Sequence, residues 1–212
     1  KICKIKPMNR YHLYAPHRME SKTYKYADAV TMVLDAYRGF SPRLADLAEQ
    51  VFQDQHIDAP TRPGKLGGAY CYSIVPGMTP YVMLNYTGEA RDIATMAHEL
   101  GHAMQDAEEY FPLRFRSALV PVVNIGSNLG WILIMIGMVL RISELAWLGV
   151  IAFAAGAVFA LATLPVEFDA SSRAKRLLAD TGIIAGEEEQ RGVNAVLTAA
   201  SLTYVAALVT AL

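Results

Sequence analysis

Cysteine is scarce in this chain. Cys3 and Cys71 are the only two, far apart and outside any Cys-x-x-Cys pairing, which excludes both a disulfide framework and a thiolate zinc ribbon. Cys71 reads instead as a small buried hydrophobe. A surplus of charge is also lacking: 19 Lys and Arg stand against 20 Asp and Glu, for a net charge of −1. That balance offers neither a basic field nor an acidic tail, so nucleic acid is not expected as a partner. Charged residues make up 18% of the chain and vanish altogether from 119–140 and 145–164. No charged-then-apolar leader is visible, so insertion into a bilayer is expected to be directed by internal segments.

What is abundant is apolar sequence, at 53% of residues, and the surplus is localised. Residues 1–116 carry ordinary polar punctuation, whereas 117–165 and 193–212 hold the long apolar segments. The uncharged runs at 119–140 and 145–164 each supply the ~20 residues needed to cross a hydrocarbon core. Trp131 and Trp147 add amphipathic bulk, and Arg141-Ile142-Ser143-Glu144 leaves room only for a tight reversal. The pattern predicts a transmembrane helical hairpin over 117–165. Asn124, Ser127 and Asn128 are costly against lipid and are expected to face the partner helix or a site. Arg114 and Arg116 precede the hairpin and Arg173, Lys175 and Arg176 follow it, against Arg141 alone in the turn. The flanks therefore predict a multi-pass protein with both hairpin ends on the cytoplasmic side. The run at 193–212, interrupted by Asn194, Thr198, Ser201 and Thr203, either spans or lies against the others.

Just ahead of the hairpin stands His98-Glu99-Leu100-Gly101-His102. Two imidazoles four residues apart share one helical face and can hold one Zn²⁺, while the intervening Glu99 is placed to act as general base on a zinc-activated water. Upstream, 1–22 reads as a basic, loop-rich entry in which neither His12 nor His17 is assigned a ligand role. Helical spacing over 23–37 (Ala27, Val30, Val33, Leu34, Tyr37) is followed by Ser41-Pro42, which opens a second helix to about Gln53. Residues 58–68 are rich in breakers. Two short runs, 69–75 and 80–86, flank Pro76-Gly77-Met78-Thr79 and read as a β-hairpin. Thr87 is expected to cap the motif helix, with Glu89 and Asp92 in its first turn. The strand Tyr81, Val82, Met83, Leu84, Asn85 and Tyr86 feeds that helix, and its free edge is a candidate for pairing with an extended substrate.

A catalytic zinc takes three protein ligands. The metzincin pattern would put a Gly at 105 and a ligand at 108, where this chain has Gln105 and Glu108, so Glu108 is a weak candidate. Glu144, in the turn, is too far away. The second apolar run brings the chain back at Pro165, where Val166-Glu167-Phe168-Asp169 is expected to open a new helix. Glu167 is the expected third ligand and Asp169 its competitor; Ser171, one turn beyond Glu167, is placed to hydrogen-bond a ligating histidine.

These residues resemble two families. From about 106 to 212, Gln-Asp-Ala-Glu, Pro-Leu-Arg-Phe-Arg-Ser-Ala-Leu-Val-Pro-Val-Val-Asn-Ile-Gly-Ser-Asn-Leu-Gly-Trp and Leu-Pro-Val-Glu-Phe-Asp-Ala-Ser closely resemble the YugP-type neutral zinc metallopeptidases of bacterial membranes. The resemblance implies that His98, His102 and Glu167 bind zinc with Glu99 as base, in an HtpX-like layout. From about 11 to 104, Tyr-His-Leu-Tyr-Ala-Pro, Arg-Pro-Gly-Lys-Leu-Gly-Gly-Ala-Tyr-Cys and Pro-Tyr-Val-Met-Leu-Asn-Tyr-Thr-Gly resemble the oligoendopeptidase F branch of the thimet oligopeptidases. The two pieces meet inside the motif helix, as in a hybrid.

The expected fold is a mainly α membrane protein. A zincin-like active-site helix follows a small β-hairpin, and a transmembrane helical hairpin separates the zinc motif from the third ligand. Its parts are 1–116 (cytosolic helices, β-hairpin and zinc-motif helix), 117–165 (membrane hairpin), 166–192 (third-ligand helix and loop) and 193–212 (third apolar segment). The expected activity is zinc-dependent endopeptidase action on peptides or unfolded proteins at a bilayer. A non-catalytic zinc-binding membrane adaptor, an inactive chimera and a soluble oligopeptidase fragment are the competing readings. The sequence leaves the oligomeric state open.

Overall fold

The computed structural model describes residues 22–73, 78–180 and 187–211. The entry segment with Cys3, His12 and His17, and the turn residues Pro76 and Gly77, lie outside the described residues. The chain is mostly helical, with one small sheet. Helix α1 (Tyr26–Phe40) buries Ala29, Val33, Ala36 and Tyr37, and α2 (Pro42–Gln53) buries Leu44, Ala45, Ala48 and Val51. Both stripes follow the helical repeat, and Pro42 sits in the first turn of α2, where its missing N–H costs nothing.

Three strands form the sheet: β1 (Ile57–Pro60), β2 (Tyr70–Tyr72) and β3 (Tyr81–Tyr86), in the order β1-β3-β2. Strand β2 runs antiparallel to β3, with Cys71 opposite Val82, and β1 runs parallel to it, with Ile57 opposite Val82. The start of the breaker-rich segment is therefore a strand. Pro60 is tolerated because an edge strand needs no N–H on its open side. Because β3 is the central strand, both of its edges are taken around Val82, with β2 paired along Tyr81–Met83 only. The open edge on the hairpin side belongs to β2. The linking loop is fastened from below: the buried Lys65 ammonium donates to the carbonyls of Asp58 (2.8 Å), Pro60 (3.0 Å) and Leu84 (2.7 Å). Asn85 Nδ2 donates to the carbonyls of Leu66 (2.9 Å) and Gly68 (3.1 Å).

Helix α3 (Ala90–Ala107) is the centre of the core, with Ile93, Ala94, Met96, Ala97, Leu100 and Met104 buried. Its N-cap is Glu89 rather than Thr87. Gly88, at φ +94°, turns the chain once more before the helix, and Glu89 and Asp92 form a reciprocal capping box. Thr87 still contributes, donating both its N–H and its hydroxyl to Asp92 Oδ2 at 2.7 Å.

Four more helices follow among the described residues: α4 (Phe111–Leu140), α5 (Ser143–Phe153), α6 (Ala155–Asp180) and α7 (Glu187–Ala211). No new helix begins at Val166, because α6 runs unbroken through Pro165. That proline forfeits one helical hydrogen bond, a loss outweighed by the burial of Val166, Ala170, Ala174, Leu177 and Leu178 on the same helix. Helices over 111–140, 143–179 and 190–209 are long and apolar enough to cross a membrane. Of the three polar residues expected to face the partner helix or a site, Ser127 is half-buried and Asn124 and Asn128 are not buried against another element. Both are exposed on α4, and the Asn128 amide folds back onto the Asn124 carbonyl at 2.8 Å.

Helices α4 and α5 instead meet along a glycine seam. A Cβ on Gly130 would lie 2.7 Å from the Gly149 carbonyl oxygen, and one on Gly149 would lie 2.6 Å from that of Gly130. Backbones this close leave no room for a methyl group. Gly149→Ala should therefore destabilise the protein by about 1–3 kcal/mol. Gly156→Ala, where nothing lies within 4 Å, should be neutral or slightly stabilising. Thermal unfolding in detergent followed by circular dichroism compares the two, and equal shifts would contradict the seam.

Candidate metal centre and active-site cleft

Helices α3 and α6 cross antiparallel, so that residues 98, 101 and 105 of one meet residues 171, 170 and 166 of the other. The crossing brings His98, His102 and Glu167 together, with their ligating atoms all within 4.8 Å of one another. Glu167 Oε2 lies 3.4 Å from His98 Nε2 and 3.7 Å from His102 Nε2. Tetrahedral Zn²⁺ with bonds of ~2.0–2.1 Å sets its donor atoms about 3.3–3.5 Å apart, so the group fits that ion in both spacing and chemistry.

The imidazoles are oriented from behind. Ser171 Oγ lies 3.3 Å from His98 Nδ1, and Gln105 Oε1 lies 3.0 Å from His102 Nδ1. Each Nδ1–H has an acceptor there, which leaves the Nε2 lone pairs facing Glu167. Gln105 is fully buried, and its amide donates to the Val166 carbonyl (2.9 Å) and to Asp169 Oδ2 (2.8 Å). Asp169 also accepts from Arg173 Nε at 2.7 Å, and Arg173 reaches Glu108 at 2.8 Å. Asp169 and Glu108 are thus joined to the centre only through Gln105 and Arg173, and neither belongs to the cluster of donors. The spacing that disfavours a metzincin also marks Gln105, which lies one turn after His102 on its own helical face, but a role for it needs the α6 partners in view.

Glu99 is buried in the same cleft but outside the cluster. Burial pushes its carboxyl up to about 7; Glu167 adds to the rise, while His102 and Arg116 oppose it. Burial lowers the His98 pKa, whereas at His102 burial is outweighed by Glu167 and the net direction is upward. The backbone of the motif is anchored by Tyr37, whose hydroxyl donates to the Ala97 carbonyl at 2.7 Å.

The cleft has a volume of about 650 Å³ and is walled on one side by Gly68–Cys71 and Asn85, and on the other by α7 through Leu197, Ala200 and Tyr204. Of the strand residues expected to bind substrate, Asn85 lines the cleft, Val82, Met83 and Leu84 are buried in or beside the core, and Tyr81 stacks on His56. Cys71 is a cleft residue, and burial raises its thiol pKa, so it stays neutral. Arg116, read from sequence only as a flanking charge, is also in the wall.

Two imidazoles and a carboxylate gathered in this way form a group that could hold a metal ion. The family described as "Putative neutral zinc metallopeptidase" matches residues 85–212, more than half of the chain, and the chain belongs to that family. A second family, "Peptidase family M3", matches residues 23–108 and overlaps the first across α3. The "Putative membrane protease YugP" of Bacillus subtilis (strain 168) is 48% identical over 120 residues, covering 57% of this chain and 53% of its own length. The chain thus spans about half of that relative. The chromosomal oligoendopeptidase F of Lactococcus lactis subsp. cremoris is 25% identical over 49% of this chain and 17% of its own. A solved structure titled "Crystal structure of putative peptidase from Chlamydophila abortus" aligns over 98% of this chain and 36% of its own, at TM-score 0.39 and 21% identity.

Supporting groups of this kind typically govern metal affinity by about 10–100-fold, so Gln105→Leu should weaken zinc retention on that scale. Glu167→Gln should weaken it more, and Asp169→Asn less. Zinc content after dialysis against a graded chelator ranks the three, and an unchanged Glu167→Gln would remove Glu167 from the ligand set.

Proposed function

We propose that this chain carries the catalytic core of a membrane-embedded zinc endopeptidase that acts on extended or unfolded polypeptides. The observation that supports this most directly is the convergence of His98, His102 and Glu167 beside a buried, unligated Glu99, in a cleft formed where long apolar helices emerge. When bound, Zn²⁺ supplies a Lewis acid that acidifies water and polarises a carbonyl. The protein's part is to hold the ion through the two Nε2 atoms and Glu167, and to move protons with Glu99. Its carboxylate takes a proton from the attacking water and, once protonated, returns it to the departing amine. Burial raises that carboxyl above the ordinary carboxylate range, which strengthens it as a base.

A substrate in extended conformation pairs with the open edge of β2, beside Gly68–Cys71, rather than with β3. Asn85 serves this surface by holding the loop at Leu66 and Gly68. Helices α4, α5–α6 and α7 are read as the spans, and the arginine-rich flanks set the cleft on the cytoplasmic side of a bacterial-type inner membrane.

Glu99→Gln preserves size and deletes basicity. It should retain zinc and lose cleavage of an unfolded casein-like substrate in detergent by about 10²–10⁴-fold, the range typical of a general base. Chelator should abolish the wild-type signal. A zinc-loaded wild type that turns over no extended substrate would favour the non-catalytic adaptor reading. For topology, Arg141→Cys in a background with Cys3 and Cys71 replaced by serine should react with an impermeant thiol reagent on intact cells. Reaction only after lysis would reverse the proposed sidedness or remove the span.

A further inference from the structure

Arg116 stands in the wall of the cleft with His98, Glu99, His102 and Glu167. Its position follows from the chain's own symmetry about the α4–α5 reversal. Arg116 precedes Arg141 by 25 residues and Glu167 follows Ile142 by 25. At 1.5 Å per residue both therefore return to the same level, ~37 Å from the turn.

The neighbouring cations are already paired. Arg114 meets Glu109 at 2.7 Å, and Arg173 meets Glu108 and Asp169. Arg116 makes no ion pair among the described residues. Its Nε is buried without a hydrogen-bond partner, and its guanidinium carbon lies 5.8 Å from the centre of the Phe159 ring. An aromatic face attracts the charge but satisfies none of its N–H donors. A buried Nε–H without an acceptor is costly unless one arrives.

Arg91 also lines the cleft, but it is exposed and already paired with Glu89 at 2.9 Å, which leaves Arg116 as the unpaired cation of the wall among the described residues. A guanidinium presents a planar fork that matches a carboxylate better than it matches any neutral peptide group.

We propose that Arg116 is a specificity-determining residue that binds a carboxylate of the substrate, either an acidic side chain near the scissile bond or the free C-terminus. The assignment rests on the zinc-peptidase reading, and the test separates the two. Two pairs of fluorogenic peptides on one sequence serve as probes. One pair carries Glu or Gln at the residues flanking the scissile bond with an amidated end; the other has a free or an amidated C-terminus. Zinc-loaded wild type in detergent should cleave the carboxylate member of one pair with kcat/KM about 10–100-fold above its amide partner, mainly through KM.

Arg116→Gln should erase that ratio, and Arg116→Lys should restore part of it. The pair that responds identifies the source of the carboxylate. No discrimination by wild type in either pair, or an equal loss on all peptides in Arg116→Gln, would overturn the proposal. Fluorescence anisotropy of the same peptides on zinc-loaded Glu99→Gln, with and without Arg116→Gln, reads the preference without turnover. Peptide binding with the predicted carboxylate preference, but no cleavage by wild type, would sink the peptidase reading and leave the carboxylate site standing.

Discussion

The structure depends on one crossing, the antiparallel contact of α3 with α6. Three donor atoms from two helices must stay within a few ångströms of a common point, and a slip of either helix by a fraction of a turn would separate them. The contact is held at both ends of the motif. Ser171 meets His98 at one end and Gln105 meets the Val166 carbonyl at the other, with Ala170 against Gly101 between them. Tyr37 ties the same stretch of α3 to α1. Since side-chain geometry at a metal is set by what lies behind the ligands, the buried Gln105 amide and the Asp169–Arg173–Glu108 chain belong to the centre as much as the imidazoles do.

The membrane-type helices serve that crossing by setting its length scale. Helix α4 leaves the cleft and α5–α6 returns to it, and the two legs are held in register by the seam of Gly126, Gly130, Gly137 and Gly149. Close backbone approach of this kind needs no hydrophobic driving force, which is absent between helices in lipid. Equal legs then put Glu167 beside the motif and Arg116 at the same depth. Topology and chemistry are linked here by nothing more elaborate than a rise of 1.5 Å per residue.

The two family matches overlap on α3, and each side supplies one wall of the cleft. The region shared with the M3 peptidases contributes the sheet, the Lys65-fastened loop and the open edge of β2. The region shared with the neutral zinc metallopeptidases contributes Glu167, Arg116 and α7. A hybrid of this kind is structurally coherent because both walls pack on the same helix, whose buried face of Ile93, Met96, Leu100 and Met104 serves the two at once.

By itself the sequence determined the local features: the histidine pair on one helical face, the uncharged runs, the proline-opened α2, and Glu167 as an acid close to the histidine pair. Each is a matter of spacing along a single helix or of the length of an apolar run, and such periodicity is legible without partners. Only the tertiary structure decided the rest. It placed β3 in the middle of its sheet, because the pairing of β1 depends on a loop closed by Lys65. It carried α6 through Pro165, because packing on α3 outweighs one lost hydrogen bond. It turned Gln105 from a missing glycine into the acceptor for His102, and Arg116 from a flanking charge into a wall of the cleft. The roles of Gln105 and Arg116 belong to contacts between residues about 40–60 positions apart, which no pattern within one segment encodes.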